Sequence, residues 1–176
     1  AGAQETEDHY VNFIGKKWFL SVVARAFQPG CKADDVLVAE GLQGAHKSTL
    51  FSILGGSWFA EGIGALGDKD SKMLIATALI VELPDMAAFS RTDKNAMKAF
   101  FTLQQDKFRP PYGKEVIAIK RRAVFAATTN DEEYFTDPTG NRRYRPVQLG
   151  KIDRAKLIKN RDQLFAETVA LLKHSK

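Results

Sequence analysis

The sequence predicts an α/β protein with a mainly parallel β-sheet flanked by helices. Short apolar runs with the length of strands alternate with segments of helical periodicity, which is the pattern of a parallel sheet. Two of these runs, 75–83 and 123–129, are mostly apolar without the alternation of a half-exposed strand, as is typical of strands that helices cover on both faces. A chain of 176 residues has room for one domain with one sizeable core.

The order of the elements follows from periodicity and from turn residues. Trp18 falls on the apolar face of the first helix, so we expect it in the core. We predict one domain over residues 1–176, with an N-terminal helical segment at 1–34 and a C-terminal helix within 151–176 that packs on it. The predicted helices cover residues 10–27, a stretch from about 50, 93–106 and 162–173, and the predicted strands cover 35–39, 75–83, 123–129 and a short run near 147–149.

Composition narrows the class of protein. The single cysteine, Cys31, excludes an internal disulfide and favours a reducing, cytoplasmic location. No signal peptide and no apolar run of the roughly 20 residues that span a bilayer is visible in the sequence, so we expect no membrane partner. A net charge of +5 suits a nucleic-acid partner, although many soluble proteins carry a modest excess of lysine.

A phosphate-binding loop is the most specific signal in the chain. The apolar strand before residue 40 runs into EGLQGAHKST, which approximates the pattern G-x-x-x-x-G-K-[ST] of loops that bind nucleotide phosphates and Mg²⁺. His46 stands where the second glycine of the pattern belongs. A side chain there is expected to crowd the phosphates and to cost roughly 1–2 kcal/mol if the backbone is left-handed. The predicted nucleotide-binding residues are Gly41, Gln43, Gly44, Ala45, His46, Lys47, Ser48 and Thr49.

Two acids near the end of the second strand are candidates for the metal chemistry of this loop. Lys47 is expected to hold the γ-phosphate of ATP, and Ser48 and Glu82 to bind Mg²⁺. Either Glu82 or Asp85 would activate the attacking water. The alternative, that an acid merely caps the next helix, is stronger for Asp85 than for Glu82.

Three further polar residues complete the candidate catalytic set. Asn130 ends the third apolar strand, where it would orient the attacking water or contact the γ-phosphate, although asparagine is also a common turn residue. Arg142 and Arg143 place two adjacent guanidinium groups at the mouth of the predicted sheet, which suits an arginine finger. Two solvated charges are the alternative interpretation.

A basic segment over residues 107–122 is the candidate nucleic-acid surface. Lys107, Arg109 and Lys114 supply positive charge, and Tyr112 lies between them in a Pro-Pro-Tyr-Gly turn. Cations interleaved with aromatic rings suit phosphate contacts and base stacking on single-stranded nucleic acid. From charge alone, a solvated loop is an equal alternative.

The ordered set of motifs resembles the virulence-associated protein E family of phage and mobile-island replication proteins. The motifs are EGLQGAHKST at 40–49, VEL at 81–83, DKFRPPYGK at 106–114, TTN at 128–130, TGNRRY at 139–144 and RDQLFAE at 161–167. That family is similar to superfamily 3 helicases, whose ATPase domain has the AAA+ fold and works on DNA as a ring, usually a hexamer.

The resemblance implies a role for each candidate residue. It makes Glu82 the Walker B acid, Asn130 the sensor 1 residue, Arg142 or Arg143 the finger that reaches a neighbour's ATP, and residues 107–114 part of a pore hairpin. We therefore expect the helicase or translocase core of a phage or mobile-element replication protein, which hydrolyses Mg²⁺-ATP on single-stranded or forked DNA.

Two other functions remain open from the sequence. Because His46 replaces a glycine, the chain is alternatively a nucleotide- and DNA-binding initiator or regulator with weak or no hydrolysis. A small-molecule kinase is a further alternative, since a phosphate loop also serves phosphotransfer. Stimulation of hydrolysis by DNA would separate the motor from the kinase.

Overall fold

The fold is described here from a computed structural model, which describes residues 2–63, 67–85, 91–130 and 141–174. Short 3-10 helices cover Gly56–Trp58 and Asn141–Arg143. The helices are α1 (Gly2–Phe27), α2 (Lys47–Gly55), α3 (Lys69–Thr77), α4 (Arg91–Phe101) and α5 (Arg154–His174), and the strands are β1 (Val36–Glu40), β2 (Phe59–Glu61), β3 (Ile80–Leu83), β4 (Gln105–Phe108), β5 (Ile117–Lys120), β6 (Val124–Thr129) and β7 (Tyr144–Gln148).

Five strands form one sheet in which every neighbouring pair is parallel. Their order is β2-β3-β6-β1-β7, so β1 lies between β6 and β7. The strands β4 and β5 form a separate antiparallel hairpin. The predicted α/β architecture with a mainly parallel, helix-flanked sheet is confirmed.

Helices cover both faces of the sheet and bury a separate apolar cluster on each. Successive residues of β6 face opposite clusters, because side chains alternate along a strand. One cluster joins the sheet to α3 and α4, and the other joins it to α1, α2 and α5. Trp18 belongs to the second cluster and donates a hydrogen bond from Nε1 to the carbonyl oxygen of Phe125 at 3.0 Å. The prediction that Trp18 is a core residue is confirmed.

Several predicted boundaries were wrong. Residues 75–77 belong to α3 and not to the second strand, because the Asp68 carboxylate caps that helix by accepting from the Ser71 N–H, and Ile75 packs on its buried face. The helix predicted over 93–106 ends at Phe101, and the helix predicted over 162–173 already begins at Arg154. The sequence also predicts a loop over residues 136–141, which lies outside the described residues except for its last position, Asn141.

None of the helices in the described part of the chain is long and apolar enough to cross a membrane.

Candidate functional site

The phosphate-loop sequence follows β1 at the carboxyl-terminal edge of the sheet. Gly41 has a φ of +149°, and a Cβ atom on it would lie 2.7 Å from the carbonyl oxygen of Leu149. The Leu149 N–H donates to the carbonyl oxygen of Glu40 at 2.8 Å, so the chain beyond β7 crosses close to this turn. Gly44 has a φ of +83°, and a Cβ atom there would meet nothing within 4 Å. The loop therefore begins at a position that requires glycine, whereas a side chain at Gly44 would meet no neighbouring atom.

The amine of Lys47 connects this loop to the end of β6. It donates to the carbonyl oxygens of Gly41 at 2.7 Å and Leu42 at 3.0 Å, and to Oδ1 of Asn130 at 2.7 Å. Burial lowers the pKa of Lys47, because the charged amine has lost part of its hydration. Lys47 and Asn130, which are 83 positions apart in the chain, are thus brought into direct contact.

A second set of hydrogen bonds connects α2 with β3 and β6. Oε1 of Glu82 accepts from the hydroxyl of Ser48 at 2.7 Å and from the hydroxyl of Thr128 at 3.0 Å. The other carboxylate oxygen, Oε2, is buried and has no hydrogen-bond partner within the described residues. Burial raises the pKa of Glu82, although the two hydroxyl donors oppose that rise. Sequence reasoning missed Thr128, whose signal was a pair of threonines at the end of a strand that is otherwise apolar.

The pair of Ser48 and Glu82 fits a Mg²⁺ site. Mg²⁺ takes oxygen ligands and is commonly held by one or two carboxylates together with substrate phosphates and water. A hydroxyl and a carboxylate meet here at the first turn of α2, beside the loop. The uncompensated Oε2 of Glu82 leaves an oxygen that a cation, or water bound to it, would satisfy.

The remaining loop residues are distributed around the first turn of α2. His46 is the N-cap residue of α2 and is exposed. Its backbone has the left-handed conformation, with φ 63° and ψ 32°. The backbone conformation that the missing glycine would have favoured is therefore kept in spite of the side chain. Gln43 and Ala45 lie in the loop, and Thr49 lies in the first turn of the helix.

Asp85 does not join the group around Glu82. It lies two residues beyond β3, is exposed, and has a φ of 52°. No hydrogen bond connects it with Ser48, Glu82 or Thr128, which are all within the described residues. Of the two acids that the sequence offered, the structure brings only Glu82 to the hydrogen-bonded cluster.

Arg142 and Arg143 lie at the opposite edge of the sheet from the loop. They precede β7, whose first residue pairs with Val36 at the start of β1. The two arginines line a cleft of about 520 Å³ together with Asp34, Asp35 and other residues. The expectation that they lie at the mouth of the sheet was wrong, because β7 runs parallel to β1 and therefore begins at the amino-terminal edge.

The basic segment forms the hairpin of β4 and β5, with its turn closed by a hydrogen bond from the Gly113 N–H to the Pro110 carbonyl oxygen at 3.0 Å. Tyr112 at the turn is fully exposed. The exposed cations on and beside the hairpin include Lys107, Arg109 and Lys114.

Arg121, part of the same basic segment, is not available to nucleic acid. It is buried, and its guanidinium group pairs with Asp106 of β4. The interpretation of the whole segment as a phosphate-contacting surface was therefore wrong at this position.

The fold and the site define an α/β protein whose parallel sheet brings a Gly-rich loop, a lysine, a buried carboxylate and an asparagine together at its carboxyl-terminal edge. The model of the virulence-associated protein E-like domain matches residues 2–176. The chain belongs to this family, as its motifs predicted. A comparison with curated protein sequences gives no significant match.

Two solved structures are similar to this chain in fold. Both are A-form apo structures of the NrS-1 C-terminal region, and one of them is described as covering residues 305–718. That one has a TM-score of 0.60 and 16% identity, and the match covers 90% of this chain and 40% of the other. The second has a TM-score of 0.63 and 16% identity, with 92% and 42% covered. The chain thus spans about two fifths of the NrS-1 region that it matches.

Proposed function

We propose that this chain is an AAA+-type P-loop ATPase domain, the helicase or translocase core of a phage or mobile-element replication protein. The observation that carries the proposal is the pair of contacts from Lys47 to Asn130 and from Ser48 to Glu82. They join the loop to the ends of β6 and β3, where α/β sheets bind ligands. The family membership agrees with this proposal.

Each residue of the cluster has a distinct task in this proposal. The Lys47 amine exchanges its loop carbonyls for oxygens of the β- and γ-phosphates. Asn130, released from Lys47, orients the attacking water, while Thr128 keeps the Glu82 carboxylate in place. Ser48 and Glu82 would hold Mg²⁺, which would supply positive charge beside the phosphates.

Phosphate release measured with and without single-stranded DNA tests the site. Lys47→Ala should reduce ATP hydrolysis by at least about 100-fold, because the amine is the charge nearest to the phosphates. Lys156→Ala, which removes an exposed lysine of α5, is the matched control and should leave the rate unchanged. A Lys47→Ala variant as active as the parent would rule out the proposed site.

The side chain of His46, at the position where the motif has glycine, favours a second candidate, a nucleotide- and DNA-binding initiator or regulator with weak or no turnover. In that case the imidazole occupies space that the phosphates need in the transition state. Calorimetry would then detect ATP binding, while no phosphate would be released at any protein concentration. Hydrolysis gained by His46→Gly would identify this residue as the cause.

The hairpin of β4 and β5 is the proposed contact with single-stranded DNA. Its antiparallel strands are joined by a turn that carries the fully exposed Tyr112, and base stacking requires such an accessible ring. Alanine at Lys107, Arg109 and Lys114 should weaken binding and lower the slope of log affinity against log salt by about 0.7 for each phosphate that is no longer neutralised. Unchanged binding by this triple variant would remove the hairpin from the DNA site.

We further propose that hydrolysis requires a ring of subunits, by the family likeness a hexamer. Arg142 and Arg143 lie at the edge of the sheet opposite to their own loop, so a finger role requires a neighbour's ATP. Ring interfaces are heterologous, and each therefore pairs a loop with an arginine from the next subunit. A mixture of Lys47→Ala with the Arg142→Ala/Arg143→Ala variant should regain hydrolysis at some interfaces. A dilute monomer with full activity would contradict the ring.

A further inference from the structure

A groove made of neighbouring clefts lies along the amino-terminal edge of the sheet, opposite to the phosphate loop. It consists of three adjoining clefts of about 400, 420 and 520 Å³. The first and second share Ala76 and Arg122 in their walls, and the second and third share Pro29 and Lys120. The clefts are therefore neighbours, in order from Trp58, before β2, to the segment that precedes β4.

Backbone hydrogen bonds hold the floor of this groove in place. The Leu79 N–H donates to the Trp58 carbonyl oxygen at 2.8 Å, and the Val124 N–H donates to the Leu79 carbonyl oxygen at 2.9 Å. At the other end, the Gly30 N–H donates to the Arg121 carbonyl oxygen at 2.8 Å, and the Arg121 N–H donates to the carbonyl oxygen of residue 104 at 2.9 Å. The walls are thus fixed to the ends of β2, β3 and β6, so a ligand would meet a preorganised surface.

The groove combines positive charge with an exposed aromatic ring. Lys120 and Arg122 are both exposed, and no carboxylate lines any of the three clefts as the described residues form them. Trp58 is 59% exposed, whereas the other tryptophan, Trp18, is 3% exposed. Uncompensated cations beside a flat aromatic surface complement a chain that carries phosphates and stacking bases.

We propose that this groove is a second binding track for single-stranded nucleic acid, in which Trp58 stacks on a base and Lys120 and Arg122 contact phosphates. The track is separate from the tip of the hairpin, because Trp58 and Arg122 precede β2 and β6 at the edge of the sheet. Binding in this track does not require ATP hydrolysis, so it can be tested independently of the phosphate loop. Lys120, at the end of β5, belongs to the hairpin and also lines two of the clefts, so a strand bound at the hairpin would reach the groove there.

Tryptophan fluorescence provides a direct test, because only one of the two indoles is accessible. Oligothymidylate should quench the emission of Trp58 and protect it from acrylamide. The variant Trp58→Phe should lose the response, and Trp58→Ala should weaken binding by about 5- to 150-fold, the range measured for single stacked bases. Oligouridylate, tested in parallel, shows whether the track prefers DNA or RNA.

Charge variants separate the groove from general attraction to a basic protein. Lys120→Ala with Arg122→Ala should lower the slope of log affinity against log salt by about 1.4, that is, about 0.7 for each phosphate contact. Lys156→Ala with Lys159→Ala removes the same charge from exposed positions of α5 and should change neither the slope nor the Trp58 signal. The triple hairpin variant should keep the Trp58 response even if its overall affinity falls.

Three results would overturn the proposal. An unchanged Trp58 emission at saturating oligonucleotide would exclude stacking in the groove. An equal response to polyglutamate would assign the groove to an acidic polypeptide. A Trp58 signal that changes with protein concentration alone would make it a contact between copies of this chain.

Discussion

Glu82 and Asp106 are two buried carboxylates of the same domain, and their negative charges are stabilised in different ways. Asp106 pairs with Arg121, whose Nε donates to Oδ2 at 2.7 Å and whose Nη2 donates to Oδ1. The Nη1 of Arg121 donates to the Phe100 carbonyl oxygen at 2.7 Å. The guanidinium group also lies 4.3 Å from the centre of the Phe100 ring. Glu82 instead accepts from two neutral hydroxyls on one oxygen, and its second oxygen has no partner among the described residues.

The difference separates a structural use of buried charge from a functional one. A buried ion pair whose hydrogen-bonding groups are satisfied connects its elements, here the hairpin base with the end of α4. A buried carboxylate without a countercharge costs stability, and such groups concentrate where a ligand completes them. The open oxygen of Glu82 beside the phosphate loop is therefore the stronger indication of a binding site.

Removing one partner of the satisfied pair should have the largest effect on stability. Asp106→Ala leaves the Arg121 charge buried and should lower the free energy of unfolding by about 3–5 kcal/mol. Urea unfolding followed by circular dichroism measures this loss. Asp162→Ala breaks the exposed ion pair with Arg161 and, as the control, should cost about 0–1 kcal/mol.

A double variant distinguishes the buried charge from lost packing. Asp106→Ala combined with Arg121→Met removes both charges and should recover much of the loss, because the apolar side chain keeps most of the buried volume. A double variant less stable than Asp106→Ala would show that the arginine stabilises the fold through its contacts with Phe100 and Phe125. If Asp106→Ala lowers the free energy of unfolding by less than about 1 kcal/mol, the two carboxylates do not differ in the way proposed here.

The sequence predicted the parts of this fold that depend on local pattern. The run into β1, the loop and the first turn of α2 are adjacent in the chain, so their motif specifies them. The boundary between α3 and β3 was harder to predict, because one apolar run from Ile75 to Leu83 supplies both the buried face of a helix and a buried strand.

The parts that depend on strand order could not be inferred from the chain. Arg142 and Arg143 were assigned to the wrong edge because nothing local states that β7 runs parallel to β1. The pairing of Arg121 with Asp106 depends on the register of a hairpin, in which Asp106 lies opposite Ile119. The predicted roles of Lys47, Glu82 and Asn130 stay predictions, although Lys47 does contact Asn130 and Ser48 does contact Glu82.

Neutralising the open carboxylate should raise stability, by a smaller amount than the loss in Asp106→Ala. Burial raises the pKa of Glu82 above its ordinary 4.5, so the folded state holds that proton more tightly than the unfolded state does. The stability contribution is present at low pH and is lost as pH rises through the raised pKa. Glu82→Gln stays neutral, so its melting temperature should exceed that of the parent increasingly as pH rises, and then level off.

The same variant should lose the proposed activity. An amide is a poor ligand for Mg²⁺, so Glu82→Gln should abolish Mg²⁺-dependent ATP hydrolysis while the protein becomes more stable at neutral pH. Glu61→Gln, an exposed acid that also raises the Glu82 pKa, is the control and should shift the parent's pH profile only slightly. Equal melting temperatures of parent and Glu82→Gln at all pH values would contradict an energetic cost of the buried carboxylate.

The smallest expected effect on stability is at His46. Variants of this residue distinguish strain in the loop backbone from crowding of the phosphates by the imidazole. A left-handed residue with a Cβ atom is strained, so His46→Gly should stabilise the protein by at most about 1 kcal/mol, since glycine also makes the unfolded chain more flexible. His46→Ala keeps the strain and removes the imidazole, so it should bring no such gain in stability. Asp85→Gly relieves a similar φ outside the loop and controls for the backbone alone.

If phosphate release rises equally in the His46→Ala and His46→Gly variants, the imidazole limits turnover by crowding. If it rises only with glycine, the loop backbone is what must adjust, and if neither variant changes the rate, His46 has no part in limiting hydrolysis.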